Sequence, residues 1–141
     1  MTPEIMKQPQ ILIVDDEPDI RELLEITLMR MGVNSSTAVD VHTAIQAIKE
    51  NDADLILTDM RLPDGNGLDI VRYVAEFKPE TPIAVITAHG NMDLAIESLK
   101  SGAFDFVSKP IDINKIEILK EIKYFKIKRF IAKKLIEATI K

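Results

Sequence analysis

Cysteine and tryptophan are both missing from this chain of 141 residues. Without thiols, neither a disulfide framework nor a zinc–thiolate centre can form, and that composition suits a reducing compartment. The cytoplasm is the expected location. Residues 1–10 lack the basic and then apolar profile of a signal peptide. No apolar run approaches the roughly 18–20 residues that span a bilayer, so no membrane partner is expected. Low-complexity tracts and internal repeats are also missing, as are the glycine patterns of a P-loop or a dinucleotide fingerprint. The two histidines, His42 and His89, have no cysteine or third nitrogen donor to make a zinc site with them, and solvated side chains are the expectation.

What is present is enough apolar material, 46% of residues, for one ordinary core and no second catalytic domain. The net charge of −5 conceals a division. Residues 1–112 carry nine Lys/Arg against twenty Asp/Glu, a balance of −11; residues 113–141 carry nine against three, a balance of +6. An acidic body therefore bears a basic tail, and direct nucleic-acid binding by this segment is not expected.

Ile11-Leu12-Ile13-Val14 is a short uninterrupted apolar run, the signature of a strand buried on both faces of a parallel sheet. Similar runs lie at residues 54–59 and 83–87, and weaker ones at 33–39 and 103–108. Between them, residues 18–31, 41–50, 68–77 and 92–99 repeat apolar positions at spacings of three and four. Pro18 sits in a first turn, Asn91 suits a cap, and Gly32 and Gly102 suit helix ends. Alternating strands and helices predict an α/β fold, a doubly wound parallel sheet of five strands with right-handed crossovers. Chemistry in such folds gathers at the carboxyl ends of the strands. Asp15 and Asp16 close the first strand, Asp59 the third and Thr87 the fourth, while Lys109 follows the fifth. In a flavodoxin-like order, 2-1-3-4-5, the first and third strands are neighbours and the three aspartates converge. Carboxylates that close repel, and a hard divalent cation such as magnesium relieves the conflict.

The stretches Val14-Asp15-Asp16-Glu17-Pro18, Leu57-Thr58-Asp59-Met60-Arg61-Leu62-Pro63-Asp64-Gly65, Ile86-Thr87-Ala88 and Ser108-Lys109-Pro110 together resemble the receiver domains of two-component response regulators. Thr58–Pro63 and Gly102–Phe106 are most similar to receivers of nitrogen-regulation-type transcription activators. The resemblance covers roughly residues 10–125. It implies a signalling domain rather than an enzyme: Asp59 accepts a phosphoryl group from a histidine kinase, with Mg2+ as cofactor. It further implies that Asp16, Asp59 and the main-chain carbonyl of Arg61 ligate the metal and that Asp15 acts through metal-bound water. Lys109 would be the counter-charge of the acceptor. Thr87 would donate to a phosphoryl oxygen, and Phe106 would be an aromatic switch, although a core role suits an aromatic in a fifth strand equally. Ala88 would leave the acceptor accessible, and Pro110 matches a cis-proline position.

Two alternatives stay open on the sequence. One is a phosphohydrolase with an aspartyl nucleophile; the other is a pseudo-receiver that only binds partners. Adjacent acids on the first strand argue against the hydrolase, and the complete set of site residues argues against the pseudo-receiver. Residues 1–9 are expected to be a flexible lead-in and 10–125 the receiver, with 126–141 a basic helical extension. From Asp112 on, neither Gly nor Pro interrupts a stretch whose Ile, Leu, Lys and Glu content predicts an extended C-terminal helix. Its second apolar stripe, Tyr124, Ile127, Ile131, Leu135 and Ala138, suggests a homodimer through this region, against which the +6 charge works.

Overall fold

The computed structural model describes residues 9–30, 32–88 and 92–109. The predicted C-terminal helix and its dimerisation stripe, the lead-in before Pro9, Asn91, His89 and Pro110 lie outside the described residues. Within them the elements run β1 (Gln10–Val14), α1 (Pro18–Arg30), β2 (Asn34–Ala38), α2 (Val41–Glu50), β3 (Leu55–Asp59), β4 (Arg61–Leu62), β5 (Gly65–Asn66), α3 (Gly67–Phe77), β6 (Ile83–Thr87), α4 (Met92–Ser101) and β7 (Asp105–Ser108). The five long strands form one parallel sheet in the order β2-β1-β3-β6-β7. That is the predicted 2-1-3-4-5 arrangement. The weaker strand predictions, 33–39 and 103–108, shorten to 34–38 and 105–108.

The short antiparallel hairpin β4–β5 was not foreseen, because the glycines at 65 and 67 read as turn residues. Pro63 and Asp64 form its tip. Helix ends follow local chemistry more closely. After α1, Gly32 has φ 78°, which glycine reaches without a Cβ clash. There the Val33 N–H donates to the Leu28 carbonyl at 2.9 Å and the Gly32 N–H to Met29 at 3.0 Å, the paired bonds of a Schellman stop. Helix α2 starts on a capping box in which Asp40 accepts from the Thr43 N–H, and α3 starts on another built from Asn66 and Asp69.

Strand alternation divides the core between the two sheet faces. Leu12, Val14, Ile56, Ile83 and Val85 pack with Ala44 and Ile48 of α2 and Ile70, Val71 and Val74 of α3. Ile11, Ile13, Leu55, Leu57, Ala84 and Ile86 point the other way and meet Leu24 and Leu28 of α1. Each valine, leucine or isoleucine side chain among them that is removed from water contributes about 1.5–3 kcal/mol before chain entropy is counted. Both faces of the central strands are therefore sealed, and polar groups at their carboxyl ends rise from a rigid base.

Candidate functional site

Sheet register decides which end residues meet. Val14 stands opposite Thr58, so Asp15 and Asp59, one residue on, are level across neighbouring strands. Asp59 is paired with Ile86, which sets Thr87 one residue beyond it, and Thr87 in turn pairs with Ser108. Lys109 is thereby delivered to the same rim, where its backbone N–H donates to the Thr87 carbonyl at 2.8 Å.

The Lys109 ammonium bridges two buried carboxylates, donating to Asp15 Oδ2 at 2.7 Å and to Asp59 Oδ2 at 3.0 Å. Glu17 Oε1 lies 3.9 Å from the same nitrogen. Burial by itself pushes the lysine pKa down; hydrogen bonds and charge from Asp15 and Asp59 outweigh it, and the ammonium is held above its ordinary value. The remaining carboxylate oxygens find backbone donors. Asp59 Oδ1 accepts from the Met60 N–H at 2.7 Å, and Asp15 Oδ1 from the Glu17 N–H at 2.9 Å. Arg21, one turn into α1, donates through Nη1 to the Asp15 carbonyl at 2.8 Å and ties the β1–α1 turn down.

Asp15, Asp16, Glu17 and Asp59 each offer an oxygen within 4.8 Å of the others. Asp16 is exposed, and no hydrogen bond from the described residues engages its carboxylate. An all-oxygen, strongly anionic donor set fits a hard divalent cation and fits zinc or copper poorly. Thr87 is buried at the end of β6, and Phe106 is half-buried against the α2–α3 side of the core. Arg61 follows two residues after Asp59, in β4 with an exposed side chain. Ala88 is exposed, and so is His42 in the first turn of α2. Glu17 belongs to the cluster although the sequence reading assigned it no role. Its signal was its place as the third acid in succession after β1.

The backbone after Asp59 is as tightly specified as its side chain. The Gly67 N–H donates to the Met60 carbonyl at 2.7 Å, and a Cβ on Gly67 would fall 2.5 Å from the Asp59 carbonyl oxygen. Only glycine allows that approach.

This acid rim with its bridging lysine lies within residues 11–123, which match the family model described as the response regulator receiver domain. The chain belongs to that family. Among its relatives, the response regulator protein PilR of Pseudomonas aeruginosa is 54% identical over 114 residues, 81% of this chain and 26% of PilR. The DNA-binding transcriptional regulator NtrC of Escherichia coli K12 is 31% identical over 116 residues, 82% of this chain and 25% of NtrC. The receiver thus spans about a quarter of the curated relatives it matches. Among solved structures, the beryllofluoride-activated NtrC4 receiver domain dimer superposes with a TM-score of 0.77 at 31% identity, covering 83% of this chain and 98% of that one. NtrX from Brucella abortus in complex with ADP gives 0.83 at 30% identity, over 96% of this chain and 30% of that one. This receiver is therefore a two-component signalling domain similar to those of nitrogen-regulation-type activators. No helix among the described residues is long and apolar enough to cross a membrane.

Proposed function

We propose that this receiver, in the cytoplasm, takes a phosphoryl group onto Asp59 from the phosphohistidine of a histidine kinase, in a magnesium-dependent reaction, and thereby changes contacts that regulate transcription. The observation that carries the reading is the buried Asp59 carboxylate, level with Asp15 and held at 3.0 Å by Lys109. Asp16, Asp59 and the Arg61 main-chain carbonyl would hold Mg2+, with Asp15 acting through water. When bound, the ion supplies positive charge to the phosphoryl oxygens.

The protein's own groups do the rest. A carboxylate oxygen of Asp59 forms the new O–P bond while the P–N bond of the donor breaks; its electron pair stays on the imidazole, which takes up a proton from solvent. Lys109 offsets the charge gathering on the phosphoryl oxygens. Thr87 donates its hydroxyl proton to one of them, and Phe106 follows the threonine inward. Ala88 leaves the approach to Asp59 open. Residues 10–125 act as the receiver, and 126–141 extend its last helix into a homodimer contact. The supporting comparison is the NtrC4 receiver, described as a dimer when beryllofluoride-activated.

A small phosphodonor with Mg2+ should add one phosphate, read by intact mass, and chelation or Asp59→Asn should abolish it. Labelling of Asp59→Asn at the wild-type level would refute the acceptor. The same samples sized by light scattering, as full chain and as a chain ending at Phe125, should show the longer one alone as a dimer; a full-length monomer at tens of micromolar removes the tail contact.

A further inference from the structure

Helix α2 borrows part of its N-terminal cap from a distant segment. The Asp64 carboxylate accepts from the Val41 N–H at 2.7 Å through Oδ1 and from the His42 N–H at 2.9 Å through Oδ2. These amides are the first two of the helix, and Asp40 takes the third through the Thr43 N–H at 2.8 Å. Helix caps ordinarily come from the residue just before the helix. Asp64 instead sits 22 and 23 residues further along the chain, at the tip of the β4–β5 hairpin. These backbone hydrogen bonds hold its carboxyl below the ordinary aspartate range. At its other end the hairpin joins the acceptor: Arg61 is two residues from Asp59, and Gly67 closes the base on Met60. Hairpin position is therefore set at its base by the Gly67–Met60 bond and the Asn66–Asp69 capping box, and at its tip by the Asp64 clamp.

We infer that Asp64 is a positioning residue for the metal site, fixing through the hairpin the backbone that presents the Arg61 carbonyl. The inference rests on the magnesium-dependent reading of the site. Asp64 does not touch the acid cluster, so its influence travels through the two-residue strand β4. Groups that orient a metal ligand in this way commonly change affinity by about tenfold or more when removed.

Asp64→Ala and Asp40→Ala form the decisive pair. Both delete one negative charge and one cap of the same helix, but only Asp64 is attached to the hairpin. Asp64→Ala should weaken Mg2+ binding, measured by calorimetry, about tenfold, and without metal it should speed amide exchange at Asn66 and Gly67. Asp40→Ala should leave both near wild type. Equal loss of Mg2+ affinity in the two variants would mean that charge or helix stability is responsible, and would overturn the role of Asp64. So would unchanged affinity or unchanged hairpin exchange in Asp64→Ala. A wild-type chain that takes up no Mg2+ would remove the metal reading and the positioning role with it, whereas failure of the variants beside a binding wild type removes the positioning role alone.

Discussion

At the carboxyl end of the sheet, Lys109 Nζ lies 2.7 Å from Asp15, with side-chain exposures of 11% and 4%. At the amino end, Lys78 Nζ lies 2.8 Å from Asp52, with exposures of 31% and 92%. The two contacts share chemistry and length and differ in surroundings. Water screens the amino-end pair, and holding two long side chains together costs entropy that the weak attraction barely offsets. Around Lys109, water has been replaced by the ends of sealed strands, so attraction is stronger and so is the cost of leaving any member unpaired. Separation alone therefore says little about what an ion pair does. The carboxyl-end trio sets two buried carboxylates on one cation, the feature on which the proposed phosphoryl transfer rests. The amino-end pair only links the loop after α2 to the end of α3.

The largest expected effect follows from removing the shared cation. Lys109→Met should destabilise the metal-free protein by about 3 kcal/mol in urea unfolding, since Asp15 and Asp59 are left facing each other in a poorly hydrated rim. A loss below about 1 kcal/mol would mean that the rim is as well screened as the amino end, and the contrast would collapse. The matched change at the other pole, Lys78→Ala, should cost no more than about 1 kcal/mol by the same measurement. A cost equal to that of Lys109→Met would also erase the distinction.

The smallest effect concerns two carboxylates that are both lowered, for different reasons. Asp52 is lowered by its hydrogen bond to Lys78 and by the charge of that lysine, Asp64 by the amides of His42 and Val41. A carboxyl whose folded pKa lies below its unfolded value, about 3.9 for aspartate, stabilises the fold above that unfolded value. Its contribution is lost as pH falls through the lower folded value. Both contributions should therefore persist to pH below the ordinary aspartate range. Salt should separate them. Raising ionic strength toward 1 M should move the NMR titration midpoint of Asp52 back toward its ordinary value and leave Asp64 nearly unmoved, because screening acts on exposed charge pairs more than on direct amide donors. Equal movement of both would contradict the assigned causes.

Much of this is legible in the sequence. The runs at 11–14, 54–59 and 83–87 hold strands whose side chains are buried on both sheet faces, Thr58, Asp59 and Thr87 included; alternation with helices predicts a parallel doubly wound sheet, and the flavodoxin-like order taken for it is the one found. Asp15, Asp16, Asp59 and Lys109 stand where strand-end reasoning put them. The β4–β5 hairpin, the place of Glu17 in the cluster and the clamp of Asp64 on α2 were not legible. Two-residue strands are too short to show periodicity, and a turn aspartate in sequence looks like any other turn aspartate.

The boundary between the two kinds of knowledge is the range of the interaction. Residue type and spacing determined the five long strands, the helices between them, the glycine stop after α1 and the acids at strand ends, because those depend on neighbours within a turn or two of chain. Tertiary structure alone decided that Lys109 meets Asp15 across 94 residues and that Asp64 completes a helix begun 23 residues earlier. It decided too that one lysine–aspartate contact is buried and the other bathed in water. Those outcomes depend on register between strands and on what covers each end of the sheet, and such long-range placement is written in the packing of the whole core rather than in any local stretch.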